Sequence, residues 1–268
     1  MCDINYWLSI SGKYCLAEKK MKDFANSLKD EEKNERYYIK GIIYYCDMQM
    51  LRGKFKSAVS DLELLSNDVT NEKLLYEIHK AIGHCYKFNF LYEPAINHYS
   101  RTNISPYNMT YYLTVCCETY CYYDPQKVFE LCSNAIEENQ KYNNHNNLGK
   151  IYYSIAIATL ILHDAYHAKK YIEKAYKEFN CTKYHAGIFF VMIAETYIEY
   201  SEKQNISAET ILKLKRQLKK IDSIYEYLLL PIYVMKDNQR KIEEFRGKYE
   251  WFSFDCTLNN IKKFIALL

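Results

Sequence analysis

A small residue recurs in this chain at long, nearly regular intervals, and that recurrence limits the fold more than any other feature. In IGHCYKFNFLYEPAINHY, Gly83, Tyr86, Tyr92, Ala95 and Tyr99 stand at offsets 0, 3, 9, 12 and 16. Anchored on the alanine, the order returns elsewhere. Gly53, Phe55 and Ala58 occupy offsets −5, −3 and 0 in RGKFKSAV, and Gly12, Tyr14 and Ala17 do so in SGKYCLA. Ala168 with Ala175, and Val128 with Ala135, form pairs seven apart, preceded twelve residues earlier by Ala156 and Cys116. Ala208 and Lys241 are weaker anchors. The anchors 17, 58, 95, 128, 168, 208 and 241 are separated by 41, 37, 33, 40, 40 and 33 residues. A helical hairpin of about 34 residues with loops of varying length produces such a series. The cause is steric. Where two antiparallel helices meet and the next pair docks, only small residues fit, and Tyr or Phe fills the space between. One hairpin cannot bury its apolar face alone, so at least three must stack.

The rest of the sequence agrees with an all-α fold. Apolar residues recur at helical spacing through almost the whole chain. Only 7 Gly and 4 Pro occur in 268 residues, too few to punctuate the many short strands of a sandwich or barrel. Lys plus Arg is 36 and Asp plus Glu 33, for a net +3, which is not the footprint of a dedicated nucleic-acid binder. The basic stretch from Lys213 to Lys220 reads as one solvated helix face with Leu opposite. Ten Cys are present without any Cys-x-x-Cys. The opening Met1–Trp7 has neither a basic n-region nor an apolar h-region. The thiols are therefore expected to be reduced and mostly core-packing. The uncharged apolar run Ile151 to His163 falls short of the roughly 20 residues that span a bilayer. These features lead to the expectation of a cytoplasmic protein with no membrane segment.

The spacing resembles the tetratricopeptide family, best over 75–102, well over 39–65 and 148–178, and weakly beyond 187. No proline closes each repeat. That degeneracy resembles the peptide-sensing regulators of low-GC Gram-positive bacteria and their phages. Two segments narrow the resemblance: LLYEIHKAIGHCYKFNFLYEPAINHYS (74–100) and the aromatic-rich tail 225–268 are similar to the phage arbitrium receptors. The resemblance implies a right-handed α-solenoid of tetratricopeptide-like hairpins. Residues 1–35 would form an opening partial repeat, 36–248 the degenerate repeats and 249–268 a C-terminal capping helix, which could all belong to one continuous domain. It also implies a short linear peptide held in the concave groove. In those receptors an N-terminal helix-turn-helix binds operator DNA, commonly as a dimer. Here the repeat signal begins by Gly12, which leaves no room for a head of about 50–60 residues. Direct sequence-specific DNA binding is therefore not expected.

In the resembled architecture the first helix of each pair lines the groove. Its inward positions here are Lys40, Ile43, Asp47 and Met50; Lys80, His84 and Lys87; Thr110, Leu113, Cys117 and Tyr120; Lys150, Tyr153, Ile157 and Leu160; and Ile188, Val191, Glu195 and Ile198. The peptide-binding candidates among them are Lys40, Asp47, Lys80, His84, Lys87, Thr110, Cys117, Tyr120, Tyr153 and Glu195. Lys80 and Lys87 could receive a carboxylate, and Asp47 and Glu195 an amine or a basic side chain. The relatives carry Asn just after the small residue, where this chain has His84.

Enzyme chemistry finds little support. No GxxxxGK[ST], GxGxxG or GxSxG occurs. His163 and His167 are read as sharing a helix face, but HDAYH is not the HExxH order of a metal site. Cys117 and Cys121 also read as packing residues. No cofactor and no metal are expected. At the C-terminus Ile261, Phe264, Ile265 and Leu268 form an apolar end that must either dock on the last hairpin or join a second copy as a homodimer. The leading expectation is a non-enzymatic regulator that binds a short signalling peptide in its groove. The alternatives are a module that grips a folded intracellular partner protein, and a transcriptional regulator that reaches DNA through a partner.

Overall fold

The computed structural model describes residues 14–28, 35–101, 106–221 and 223–268. Among the described residues every regular element is helical. In chain order they are α1 (Tyr14–Leu28), α2 (Glu35–Leu51), α3 (Phe55–Asp68), α4 (Glu72–Phe88), α5 (Tyr92–Tyr99), α6 (Pro106–Tyr120), α7 (Pro125–Lys141), α8 (His145–Ile161), α9 (Ala165–Cys181), α10 (His185–Lys203), α11 (Ala208–Leu218), a 3-10 segment (Ser223–Leu229), α12 (Leu230–Met235), α13 (Gln239–Lys248) and α14 (Phe254–Ala266). The chain divides into two compact units. The first takes Met1–Asn103 and Glu243–Thr257, the second Ile104–Ile242 and Leu258–Leu268. Within each, helices pack in sequence order, and alternate helices also touch: α2 meets α4, α6 meets α8, and α8 meets α10. The residues 1–13 and the anchor-linked Gly12 lie outside the described residues.

Local chemistry sets the helix ends. Asn71, Asn144, Asp164 and Ser207 cap α4, α8, α9 and α11 by accepting hydrogen bonds from the first free N–H groups. Pro125 opens α7, where no N–H is needed. Six of the described C-terminal ends share one device. Gly53, Phe90, Asn143, His163, Lys183 and Asp237 have φ of 76, 57, 50, 61, 55 and 48°. The next N–H then returns to a carbonyl five residues back, as in Lys54 to Gln49, Leu91 to Tyr86 and Asp164 to Thr159. This is the left-handed helix stop that glycine normally fills. Five of the six positions are not glycine, at about 1 kcal/mol or more each. A shortage of glycine therefore does not mean a shortage of tight turns.

The steric argument from spacing has a direct counterpart. Ala17, Ala58, Ala95, Val128 and Ala168 are each the fourth residue of α1, α3, α5, α7 and α9, and each is fully buried. The two weaker anchors do not share that place. Ala208 is the exposed first residue of α11. In α13 the buried fourth residue is Ile242, next to Lys241. A Cβ on Gly83 would run into the ring of Tyr99, so offsets 0 and 16 are a physical contact between α4 and α5. In the second unit Phe179 lies against the backbones of both Gly149 and Gly187.

The first unit is completed by residues distant in sequence. Tyr249 covers Gly53 and stacks on Phe55 at 5.9 Å, and Glu250 N donates to Gly53 O at 2.7 Å. The buried Asn89 accepts from Phe252 N with its side chain and from Thr257 Oγ1 with its carbonyl.

Candidate functional site

In the first unit, packing of α2 on α4 brings Asp47 and Lys80 together. Lys80 forms an ion pair with Glu77 and lies 5.9 Å from the centroid of the Tyr76 ring. Burial pushes the Asp47 carboxyl up to about 7, Lys80 opposes that rise and Glu77 adds to it. His84 is engaged inside the unit: its Nδ1 is 2.9 Å from the Tyr99 hydroxyl and its ring stacks on Phe88. Lys87 lies 5.9 Å from the Phe88 centroid. Lys40 is half-buried on α2. The Asp47 carboxyl thus lies within electrostatic reach of the Lys80 ammonium, while Lys87 stands one turn further along α4 from His84.

The second unit holds the richer cluster. Glu118 on α6 and Lys150 on α8 approach to 3.8 Å, with side chains only 10 % and 20 % exposed. The sequence placed Cys117, not Glu118, on this face. Cys117 is fully buried, and burial drives its thiol upward. It packs the core, whereas its neighbour reaches the polar cluster. Burial works against the Lys150 ammonium, but Glu118 and Tyr184 outweigh it, and the pKa stands above that of an ordinary lysine. Tyr184, which precedes α10, shares a 3.3 Å hydroxyl contact with Tyr225 of the 3-10 segment. Burial, then Tyr184, keeps the Tyr225 phenol protonated, and burial with Glu118 does the same for Tyr227. Tyr153, buried on α8, meets the Tyr122 hydroxyl at 2.5 Å. The fully buried Tyr197 hydroxyl has no hydrogen-bond partner among the described residues. Burial raises its pKa, as does nearby Cys121.

The other candidates in this unit stand apart from the cluster. The Thr110 carbonyl accepts from Thr114 Oγ1 and from Asn139, a contact that holds α6 on α7. Tyr120 stacks on Tyr123 at 5.5 Å. Glu195 is exposed on α10, its carboxyl raised by partial burial against the pull of Lys213. Sequence reasoning named Lys150 and Tyr153 but missed Glu118, Tyr184, Tyr225 and Tyr227. A signal for the charged pair was present. Glu118 is the only charged residue between Arg101 and Asp124, and Lys150 the only Lys, Arg, Asp or Glu between Lys141 and Asp164.

Three further readings are decided by position. His163 ends α8 in the left-handed turn, while His167 sits in the first turn of α9 with Nδ1 2.6 Å from Asp164. They do not share a helix face, contrary to the reading from spacing, and no group of three potential metal ligands occurs among the described residues. On α11 Leu214 is buried while Lys213, Lys215 and Arg216 are exposed. Ile261 and Phe264 are buried within their own chain, Phe264 meeting Tyr122 and Tyr197 edge-on at 5.2 Å each. Ile265 and Leu268 are half-buried. No described helix is long and apolar enough to cross a membrane. No family model, curated protein or solved structure matches the chain.

Proposed function

We propose that this protein is a non-enzymatic regulator that binds a short peptide on the polar, tyrosine-rich face built by α6, α8 and the 3-10 segment. The proposal includes a tetratricopeptide-like, right-handed solenoid of the helix pairs, with peptide sensing of the arbitrium-receptor kind. The observation that carries it is the Glu118–Lys150 pair, drawn from two alternate helices and set among the tyrosines 153, 184, 225 and 227. Aromatic walls supply desolvated contact area, and a few placed polar groups fix orientation. Such a face suits an extended main chain better than it suits a reaction.

The test is retention of a random hexapeptide pool on the immobilised full chain, read by mass spectrometry. Wild type should enrich a restricted set of sequences, and Glu118→Gln with Lys150→Met should lose them. Equal retention by wild type and the double variant would remove the reading. A second reading, a folded protein partner, is favoured by the exposed Tyr142 in the α7–α8 turn and the exposed Tyr166 and Tyr176 on α9. It predicts that one protein, and no peptide, is retained, with loss on substitution of those tyrosines.

A further inference from the structure

One face of α11 gathers cations without their counter-charges. Leu214 and Gln217 turn inward, while Leu212, Lys213, Lys215, Arg216, Lys219 and Lys220 are exposed. Lys213 pairs with Glu209 at 2.8 Å. The other four cations make no ion pair among the described residues. Lys215 lies 5.9 Å from the centroid of the Tyr233 ring, with no carboxylate beside it. Elsewhere in the same unit exposed lysines meet acids: Lys127 with Glu130, Lys141 with Glu138 and Lys169 with Glu202.

The spacing makes this face repel itself. Lys215 and Arg216 stand four and three residues before Lys219, and Arg216 four before Lys220. Helical neighbours at those spacings face each other, and like charges there are destabilising. The dipole of α11 favours cations near its C-terminal end, but it amounts to about half an elementary charge, too little to balance four. An anionic partner relieves the repulsion.

Leu212 selects the kind of anion. It is 47 % exposed and precedes Lys215, Arg216 and Lys219 by three, four and seven residues, so an apolar side chain shares the face with the charges. Single-stranded nucleic acid is held by basic grooves that also offer aromatic platforms to the bases. No aromatic residue occurs in α11, and Tyr233 beside Lys215 is buried. Carboxylates interspersed with an apolar side chain are what an acidic protein segment presents.

We propose that this face of α11 docks an acidic segment of a protein partner. Its carboxylates meet Lys215, Arg216, Lys219 and Lys220, and its apolar side chain covers Leu212. The proposal goes beyond the peptide reading, which involves none of these residues, and stands if that reading falls.

Fluorescence anisotropy on the full chain tests it with three labelled peptides: GEELEEG, its GQQLQQG analogue and its leucine-free GEEGEEG analogue. GEELEEG should bind saturably. Raising the salt from about 50 to about 200 mM should weaken it, because exposed pairs are screened. GQQLQQG should not bind, and GEEGEEG should bind less tightly than GEELEEG. Arg216→Gln with Lys219→Gln should reduce the affinity for GEELEEG about tenfold, which two exposed ion pairs can supply. Leu212→Ser should abolish the advantage of the leucine peptide. Lys170→Gln with Lys174→Gln removes the same net charge from α9 and should leave binding unchanged. Circular dichroism reports the fold of every variant. No saturable binding of GEELEEG, equal binding of GQQLQQG, an equal loss in the α9 variant, or tighter binding of a single-stranded oligothymidylate would each overturn the proposal.

Discussion

An alanine at Gly149 tests how α8, α9 and α10 are held together. In the middle of an ordinary helix, Gly→Ala stabilises by about 1 kcal/mol. At Gly149 the added Cβ would lie 2.5 Å from Cε1 and 2.6 Å from Cδ1 of Phe179. Carbon atoms pack at about 3.5 Å or more, so the ring must retreat by roughly 1 Å. It has little room to do so. Phe179 is fully buried, lies against Gly187 along the same side of its ring, and meets Tyr184 and Phe190 with centroids 5.7 and 6.4 Å away. Overpacking of this kind costs about 1–3 kcal/mol. Set against the propensity gain, the net loss should be about 1 kcal/mol, or about 2–4 °C in Tm for a chain of this size.

The sign should depend on the ring. In a Phe179→Leu background the clash is relieved, and Gly149→Ala should become neutral or stabilising by up to about 1 kcal/mol. Urea unfolding followed by circular dichroism gives all four corners of the cycle, and the coupling should fall between about 1 and 3 kcal/mol. Gly187→Ala should behave in the same way. A rise in the urea midpoint on Gly149→Ala alone, or an equal change with and without the phenylalanine ring, would refute the reasoning.

Phe264→Ala should cost about 3–5 kcal/mol, because Tyr122 and Tyr197 of the same chain surround the ring. The unfolding midpoint should not change with protein concentration; a midpoint that climbs with concentration would show that a second copy completes this core. Acid should act through two opposed groups in the first unit. Burial, then Arg101 and His79, pushes His98 down to about 4, and its Nδ1 lies 3.2 Å from that of His79. The unfolded chain takes up this proton near 6.5, so His98 removes stability as pH falls from about 6.5 to about 4, by at most about 1.4 kcal/mol per pH unit. Asp47, raised to about 7, does the opposite: the folded chain holds its proton more tightly, so its contribution grows as pH falls through the same range. His98→Gln should therefore weaken the acid loss or reverse it, and Asp47→Asn should steepen it, both read from urea midpoints between pH 4 and 7.5. Parallel curves for wild type and both variants would contradict these assignments.

The parts of the fold legible in the sequence are those where sterics leaves few choices. A residue buried at the crossing of two helices must be small, so Ala17, Ala58, Ala95, Val128 and Ala168 mark equivalent places. The match of Gly83 with Tyr99 follows from the same constraint. The turns were harder to read because their identity rests on backbone conformation. Gly53 stands five residues before Ala58 in a left-handed turn, and Phe90 and His163 hold the same conformation five residues before Ala95 and Ala168. Capping hydrogen bonds there tolerate a side chain, so residue type stops reporting the position.

On α6 the charged Glu118 stands one residue from the groove position counted at Cys117, and the reason is rotational. One step along a helix turns the side chain by about 100°, enough to exchange the core-facing Cys117 for Glu118. An inward position assigned by counting from a small residue has no margin for that step. Charge isolation supplies the missing restraint. A charge alone within twenty apolar or neutral residues must reach solvent or a partner when its helix is packed on two sides, since leaving it unpaired costs several kcal/mol. Glu118 and Lys150 are two such charges of opposite sign on helices that touch. Pairing them fixes the facing sides of α6 and α8 together, and it places the tyrosines of the 3-10 segment, which helical periodicity leaves unassigned, beside that pair.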